Sequence, residues 1–230
     1  MKNLIIIPAR SGSKGIKNKN LMRINGISLL ELSILHAKYI SNEDDIICVS
    51  SDSKEYLKIA SDLNVETRLR PQELVTDEAF TEPVMEDVIN QYELDDNDNI
   101  ILLQPTSPFR SKQLLNELKN VINDGEESVL TVYESYQFEW GKLNEKYYYP
   151  KYKRRPRRQD MEPRYIENGS IYLVKLKIFN SLKNRVDNKS KLIISSHLES
   201  IDIDSLEDLK IAELLGKEFN EQWKEEIKKL

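Results

Sequence analysis

The segment from residue 5 to residue 20 constrains this chain more than any other feature of its sequence. Three consecutive isoleucines at residues 5–7 predict a buried strand, and they lead into a loop of small and basic residues. Gly12 and Gly15 allow the backbone to bend and to approach a ligand closely, and two serines add hydroxyl groups. Positive charge comes from Arg10, Lys14, Lys17 and Lys19. The loop therefore favours a polyanion such as a chain of phosphates.

This loop differs from the common phosphate-binding motifs. It lacks the Gly-Lys-Ser/Thr of a Walker A loop and the three spaced glycines of a dinucleotide fingerprint. A plain surface loop after an edge strand is the alternative. A strand as apolar as residues 5–7 is expected at the centre of a sheet, which places the loop at the sheet's carboxyl edge, where open α/β sheets bind ligands. We therefore favour phosphate binding.

Apolar strand segments alternate with amphipathic helical segments along most of the chain. Strands are predicted at residues 4–8, 46–50, 66–69, 100–104, 128–133, 170–174 and 192–196. Helices are predicted at about 28–41, 53–62, 83–93, 111–123 and 205–215. This alternation is typical of an α/β fold, and we expect a Rossmann-like, doubly wound and mainly parallel sheet. We expect one domain over residues 1–230.

The composition of the chain is consistent with that fold and limits the class of protein further. The chain has 230 residues, of which 39% are hydrophobic and 32% charged, as in a protein with well-solvated helices. We expect no segment that spans a membrane, and the apolar run at residues 4–8 is too short for a signal peptide, so we expect a cytoplasmic protein. The single cysteine, Cys48, lies in an apolar run and is expected to be a small buried hydrophobe.

The strand and helix alternation breaks between residues 134 and 168. Three tyrosines at 147–149 precede a basic run in which six of the eight residues 151–158 are Lys or Arg. Such a run suits a nucleic-acid-binding module, an anionic small-molecule site or subunit contact, or a solvated face. The net charge of −5 argues against nucleic acid. We interpret residues 134–168 as an insertion that serves a small-molecule site or a subunit contact.

A second chemical landmark lies at residues 201–204, where two isoleucines alternate with Asp202 and Asp204. This alternation turns both carboxylates to one side and both isoleucines toward the core. Two carboxylates would repel a triphosphate unless a divalent cation lay between them, and Mg²⁺ is commonly held by one or two carboxylates plus phosphate oxygens. The alternative is a pair of solvated residues on an edge strand.

Several motifs in order along the chain resemble those of the acylneuraminate cytidylyltransferases, also called CMP-sialic acid synthetases. The matching segments are residues 7–10, 13–15, 19–20, 69–71, 104–108, 168–172 and 201–204. The resemblance implies transfer of CMP from CTP to the anomeric hydroxyl of a nine-carbon 2-keto sugar acid, with release of pyrophosphate. It also implies a requirement for Mg²⁺ and a homodimer formed through an excursion like residues 134–168.

The resemblance also implies roles for individual residues. The catalytic set would be Arg10, Lys14, Asp202 and Asp204, of which the two aspartates would bind Mg²⁺. The CTP site would consist of Ala9, Arg10, Ser11, Gly12, Lys14, Lys19, Asn20, Arg70 and Thr81. The sugar acid would face Gln104, Arg158, Gln159, Tyr165, Asn168 and Tyr172. Packing within the fold is the alternative for at least one of the two tyrosines.

One departure concerns the identity of the sugar. Bacterial sialic acid enzymes tend to carry an Arg-Pro pair at the positions occupied here by Ile166 and Glu167. The basic contact to the sugar carboxylate would then come from Arg164 or Arg158, or the sugar would differ from N-acetylneuraminate in its outer substituents. A diacetamido relative such as legionaminic acid is the leading expectation, with pseudaminic acid, Kdo and 8-amino-8-deoxy-Kdo as alternatives.

Overall fold

A seven-stranded sheet forms the centre of the molecule in the computed structural model, which describes residues 1–12, 16–76 and 78–229. The strands are β1 (Asn3–Pro8), β2 (Arg23–Ile24), β3 (Ile27–Ser28), β4 (Ile46–Ser51), β5 (Glu66–Leu69), β6 (Asn99–Leu103), β7 (Ser128–Ser135), β8 (Trp140–Lys142), β9 (Tyr148–Pro150), β10 (Arg164–Lys175) and β11 (Lys191–Ile194). The helices are α1 (Leu29–Ile40), α2 (Lys54–Asp62), α3 (Thr81–Ile89), α4 (Lys112–Asn123), α5 (Leu176–Leu182), α6 (Leu206–Glu221) and α7 (Lys224–Ile227).

The strand order of the large sheet is β11-β7-β10-β6-β1-β4-β5. Strand β1 runs parallel to both β4 and β6, and β10 alone is antiparallel to both of its neighbours, β6 and β7. The chain winds outward from β1 through β4 to β5 and then returns to β6 on the other side. The order of the strands reverses there, and such a switch point leaves a crevice at the carboxyl ends of the strands.

The residues of β1 alternate between two hydrophobic cores. Ile5 and Ile7 belong to the core beneath α1, α2, α4 and α6, whereas Leu4 and Ile6 belong to the core beneath α3 and α5. All four side chains are fully buried. A strand that is covered on both faces must be apolar at every position, which explains the continuous isoleucine run in the sequence.

The predicted elements are confirmed in type and order, and the fold is the α/β sheet that the alternation indicated. Helix boundaries follow local caps: Ser28 begins α1 and Ser205 begins α6, each with its hydroxyl accepting from the third residue of the helix. Cys48 is buried, as expected. Helix α6 extends to residue 221, beyond the expected end at 215, and continues through Gly216, which packs so closely against Ile24 that a Cβ there would overlap its Cγ2.

Two expectations about strands were wrong. Strand β10 begins at Arg164, so residues 164–168 belong to the sheet and not to the insertion, because residues 164–167 pair with residues 132–135 of β7. Residues 201–204 form no strand. Their alternation is real, since Ile203 is fully buried and both aspartates are exposed, but the Ile203 N–H donates to the Thr106 carbonyl of a loop.

The segment between β7 and β10 carries a two-stranded hairpin, β8–β9, outside the large sheet. Large apolar side chains on it face solvent, including Trp140, Leu143 and Tyr148. Within the part of the chain that the structure describes, no helix is both long and apolar enough to cross a membrane.

Candidate active site

A cleft of about 230 Å³ lies at the carboxyl ends of β1, β5 and β6. It therefore occupies the switch point of the sheet, where the strand order reverses. The residues that line it come from five separate parts of the chain. They are Pro8, Arg10, Lys19, Asn20, Arg70, Leu74, Thr76, Ala79, Phe80, Thr81, Val84, Gln104, Pro105 and Thr106. Five of the predicted CTP-binding residues and one predicted sugar-binding residue thus share one cavity.

The basic wall of the cleft is held in place by short contacts. The Asn20 side-chain amide donates to the Arg10 carbonyl at 3.0 Å, which ties the far end of the predicted phosphate loop to its start. The Arg10 guanidinium donates to the Thr76 carbonyl at 3.3 Å and so reaches across the cleft. Lys19 is mostly buried in spite of its charge. These contacts place two cations where an anionic ligand would lie.

Arg70 follows β5 and forms part of the floor of the cleft. Its side chain is buried, with Nε donating to the Ser50 hydroxyl at 3.3 Å and Nη2 donating to the Ser50 carbonyl at 3.0 Å. Burial lowers the pKa of the guanidinium, whereas the nearby Asp52 charge raises it. A planar guanidinium held in this way by the Ser50 hydroxyl and carbonyl can recognise a nucleobase.

The start of the predicted phosphate loop is anchored by a carboxylate that sequence analysis missed. Asp52 accepts from the Ser11 N–H at 2.7 Å and from the Ser11 hydroxyl at 2.6 Å. Ser11 and Gly12 lie beside the cleft without lining it, and Ala9 is buried with its N–H donating to the Ser50 carbonyl. The predicted catalytic Lys14 lies outside the described residues, as do its neighbours at 13 and 15.

Asp52 has an unusually acidic carboxyl group for a half-buried residue. Desolvation raises its pKa, but the hydrogen bonds from Ser11 together with the Arg70 charge outweigh that effect, so the pKa lies below its ordinary value. The sequence signal for this residue is its place directly after the buried strand β4. An acidic residue at the carboxyl end of a central strand faces the ligand edge of the sheet.

The predicted metal-binding carboxylates lie at the side of the cleft that Lys19 forms. The Lys19 Nζ donates to Asp204 Oδ1 at 2.9 Å. Desolvation raises the pKa of Asp202, a hydrogen bond with the Thr106 hydroxyl lowers it, and the Asp204 charge raises it again. The two carboxylates are therefore close enough to repel each other, although both side chains remain accessible to solvent.

This donor set fits a hard divalent cation. Within the described ranges, no three His, Cys, Asp or Glu side chains gather into a group that could hold a metal alone. Mg²⁺ does not need such a group, since it commonly takes one or two carboxylates and completes its shell with water and phosphate oxygens. Asp202 and Asp204, which repel each other beside a basic cleft, provide that arrangement.

Gln104 lies at the end of β6 and lines the cleft next to a bulge in β10. Its N–H donates to the Ser170 carbonyl at 3.2 Å. Gly169 has φ +72°, a conformation that favours glycine, and a Cβ there would lie 3.5 Å from Gln104 Oε1. The bulge therefore brings the backbone close to the Gln104 side chain and leaves room for it.

Asn168 performs a structural task in this bulge. Its Oδ1 accepts from the Thr131 hydroxyl at 2.7 Å and from the Ser170 N–H at 3.1 Å, and its Nδ2 donates to the Ser195 hydroxyl at 2.9 Å. The side chain is buried and all these partners belong to the fold. Within the chain, these contacts shape the bulge beside Gln104.

The remaining predicted sugar-binding residues do not line the cleft. Arg158 lines a separate pocket of about 200 Å³ with Glu134, Tyr136 and His197. Gln159 and Tyr165 are exposed on the excursion and on β10. Tyr172 is buried in the core beneath α3, where its hydroxyl donates to Glu167, so packing is its role within the chain.

A mainly parallel sheet with a basic cleft at its switch point and a carboxylate pair beside it defines a nucleotide-binding α/β protein. The cytidylyltransferase family profile matches residues 4–229, and the chain belongs to that family. This finding confirms the resemblance that the sequence motifs indicated.

Individual relatives show how far the likeness extends. An N-acylneuraminate cytidylyltransferase of Streptococcus agalactiae serotype V is 29% identical over 226 residues, which cover 90% of this chain and 52% of that protein. The chain thus spans about half the length of this relative. A CMP-N,N'-diacetyllegionaminic acid synthase of Legionella pneumophila is 30% identical over 233 residues, which cover 94% of this chain and 96% of that protein.

A solved structure confirms the fold. CMP:2-keto-3-deoxy-manno-octonic acid synthetase complexed with CTP superposes with a TM-score of 0.64 over 95% of this chain and 100% of that one. The two sequences are 16% identical in this alignment, so the likeness concerns the architecture.

Proposed function

We propose that this chain transfers CMP from CTP to the anomeric hydroxyl of a nine-carbon 2-keto sugar acid and releases pyrophosphate. The observation that carries the proposal is the single cleft that Arg10, Lys19, Asn20, Arg70, Thr81 and Gln104 line together. The motifs that supply these residues are far apart in the sequence, and their convergence at a switch point supports a nucleotide site. Membership of the cytidylyltransferase family supports the reaction class.

In the reaction, the acceptor's anomeric oxygen forms a bond to the α-phosphorus of CTP, and the bond from that phosphorus to the bridging β-phosphate oxygen breaks. Pyrophosphate carries the electron pair away, and the hydroxyl proton passes to solvent or to a nearby carboxylate. Such a transfer depends on in-line positioning and charge neutralisation. Arg10 and Lys19 would neutralise the phosphates, Arg70 would contact the cytosine, and Gln104 would face the acceptor.

Mg²⁺ belongs to this proposal as the cation that Asp202 and Asp204 would hold. When bound, it would neutralise charge on the triphosphate and the leaving pyrophosphate. The task of the protein is to present both carboxylates together, and Lys19 helps by fixing Asp204.

We also propose a homodimer in which the segment between β7 and β10, residues 136–163, of one copy reaches the site of the other. The hairpin β8–β9 exposes Trp140, Leu143 and three consecutive tyrosines. Burial of such a patch would stabilise a subunit interface. A dimer would also explain why Arg158 and Gln159 lie away from the cleft of their own chain, since they would serve the partner's acceptor.

For the acceptor, we propose a sialic acid-like compound with legionaminic acid first. The Legionella relative matches over nearly its whole length. Ile166 and Glu167 support a sugar with outer substituents unlike those of N-acetylneuraminate.

The experiment is a matrix of nucleotides and acceptors read out by pyrophosphate release. CTP, UTP, ATP and GTP are each combined with legionaminic, pseudaminic and N-acetylneuraminic acids, Kdo and 8-amino-8-deoxy-Kdo. We expect CTP to be preferred and a nine-carbon acid to react fastest. Equal use of a purine nucleotide would contradict the proposed cytidylyltransferase function. Fastest turnover of Kdo would show that Kdo, and not a nine-carbon acid, is the acceptor.

A further inference from the structure

Arg110 is a charged residue in a place that is expensive for a charge. Its side chain is fully buried, and burial lowers the pKa of the guanidinium. Burying an ion is strongly unfavourable even after relaxation of the protein. Neither the sequence motifs nor the proposed reaction gives this residue a role.

The hydrogen bonds of Arg110 close a loop at the cleft. One nitrogen, Nη2, donates to the Gln104 carbonyl at 2.6 Å and to the Ser170 carbonyl at 2.9 Å. The first bond joins the two ends of residues 104–110, which we name the 104–110 loop. The second fixes that loop to the bulge of β10. The planar guanidinium can serve both carbonyls at once because its donors have a fixed geometry.

The 104–110 loop contacts both the cleft of the proposed reaction and the segment that carries the two predicted metal ligands. Gln104, Pro105 and Thr106 line the cleft. The Thr106 carbonyl accepts from the Ile203 N–H at 2.8 Å, and Ile203 lies between the two predicted metal ligands. A shift of the 104–110 loop would therefore move Gln104 and the carboxylate pair together.

On the side away from the cleft, Arg110 contacts the side chains of His36 and Trp223. Nη1 lies 3.4 Å from His36 Nδ1, and burial lowers the pKa of His36 well below its ordinary value, so the imidazole is neutral. The Trp223 ring lies 4.8 Å from the His36 ring, and its Nε1 donates to the Arg110 carbonyl at 3.2 Å. The guanidinium thus has little freedom to leave its two carbonyl partners.

We propose that Arg110 is a positioning residue for the proposed transfer reaction, which sets Gln104 and the Asp202–Asp204 pair through the 104–110 loop. The proposed nucleotide contacts of Arg10 and Arg70 come from other segments, and the hydrogen bonds described for both side chains lie outside the 104–110 loop. The inference rests on the proposed function.

The test compares Arg110→Met, Arg110→Lys and Trp223→Phe. The methionine variant removes the charge and both hydrogen bonds, and the lysine variant keeps a charge without the planar donors. Trp223→Phe is the matched control, because it loses a buried hydrogen bond to the same residue and leaves the guanidinium in place. Melting temperature and CTP affinity without Mg²⁺ are measured for each variant beside kcat and the KM of each substrate.

We expect Arg110→Met to lower kcat about 10- to 100-fold, since small misplacements at a reacting centre have effects of that size. CTP affinity should change less than about threefold, because Arg10 and Arg70 lie on other segments. Arg110→Lys should recover part of kcat, and Trp223→Phe should keep it while losing similar stability. Folded Arg110 variants with wild-type kcat, or an equal loss of kcat in Trp223→Phe, would overturn the inference.

A failure of the proposed function would look different. If the wild-type protein released no pyrophosphate with any acceptor, the positioning role of Arg110 would be tested by amide hydrogen exchange at residues 104–106 and 201–204. Faster exchange at both segments in Arg110→Met than in Trp223→Phe would support the positioning role. Equal exchange in the two variants would refute it.

Discussion

The Lys19 Nζ donates to the Asp204 Oδ1 at 2.9 Å, although the two residues are 185 positions apart in the chain. The lysine side chain is 11% exposed and the aspartate side chain 76%. This pair joins the predicted phosphate loop near the start of the chain to the predicted metal ligands near its end. The contact explains how two motifs that look unrelated in the sequence can serve one ligand.

Replacing Lys19 with methionine should weaken CTP binding about tenfold or more, because a cation in the cleft is lost. The melting temperature should change little, since a pair with one solvent-exposed partner contributes about 0–1 kcal/mol. Lys58→Met is the matched control, as Lys58 forms an ion pair with Asp62 on the surface of α2. Titration of each variant with CTP checks the prediction. Unchanged affinity in Lys19→Met would remove this residue from the nucleotide site.

Asp202→Asn and Asp204→Asn should each reduce turnover about 100-fold and raise the Mg²⁺ concentration needed for half-maximal rate, because each removes a carboxylate ligand. Folding should survive. The melting temperature without metal should stay level or rise in Asp202→Asn, since desolvation and the Asp204 charge both disfavour the ionised form. Turnover against Mg²⁺ concentration is the measurement. Near wild-type activity with the same metal dependence in both variants would make the pair ordinary solvated residues.

Asp52→Asn should lower stability in a pH-dependent way. The pKa of Asp52 is depressed in the folded state, so its ionised form contributes stability above the unfolded value of about 3.9. That contribution is lost as the pH falls through the lower folded-state pKa. Because the carboxylate is partly screened by solvent, we expect a deficit of no more than about 1 kcal/mol at pH 7, which is smaller near pH 3.5 and vanishes only below the folded-state pKa.

Urea unfolding at the two pH values tests this prediction, with Asp62→Asn as the control for an exposed aspartate on a neighbouring helix. A deficit of the same size at both pH values would show that the Ser11 contacts depend on shape and not on charge.

Replacing Arg154, Arg155 and Arg157 together with serine should weaken dimerisation or turnover of the sugar acid. Arg155 lies 4.1 Å from the centre of the Phe138 ring, and Arg157 pairs with Asp160, so part of the basic run already has partners within the excursion. Sedimentation at several protein concentrations, together with acceptor kinetics, checks the expectation. Tight binding of RNA or DNA at physiological salt, with a steep salt dependence that the triple variant loses, would support a nucleic-acid function instead.

The sequence by itself determined the sheet and its central strand. Ile5–Ile7 are apolar at every position, and only a strand covered on both faces needs that pattern. The alternation around Ile203 likewise gave the correct direction of both carboxylates. These features depend on the local sequence, so its periodicity and composition predict them.

Only the tertiary structure decided which distant groups meet. Asp52 contacts Ser11 because β1 and β4 are neighbours, and Arg110 reaches Ser170 because β10 pairs with β6 in the antiparallel sense. No local sequence pattern identifies either partner, because a hydrogen bond between distant segments produces no periodicity in the sequence. The motif around Tyr172 suggested a ligand contact. The tertiary structure instead places this side chain in the core, because of the side of β10 on which it lies.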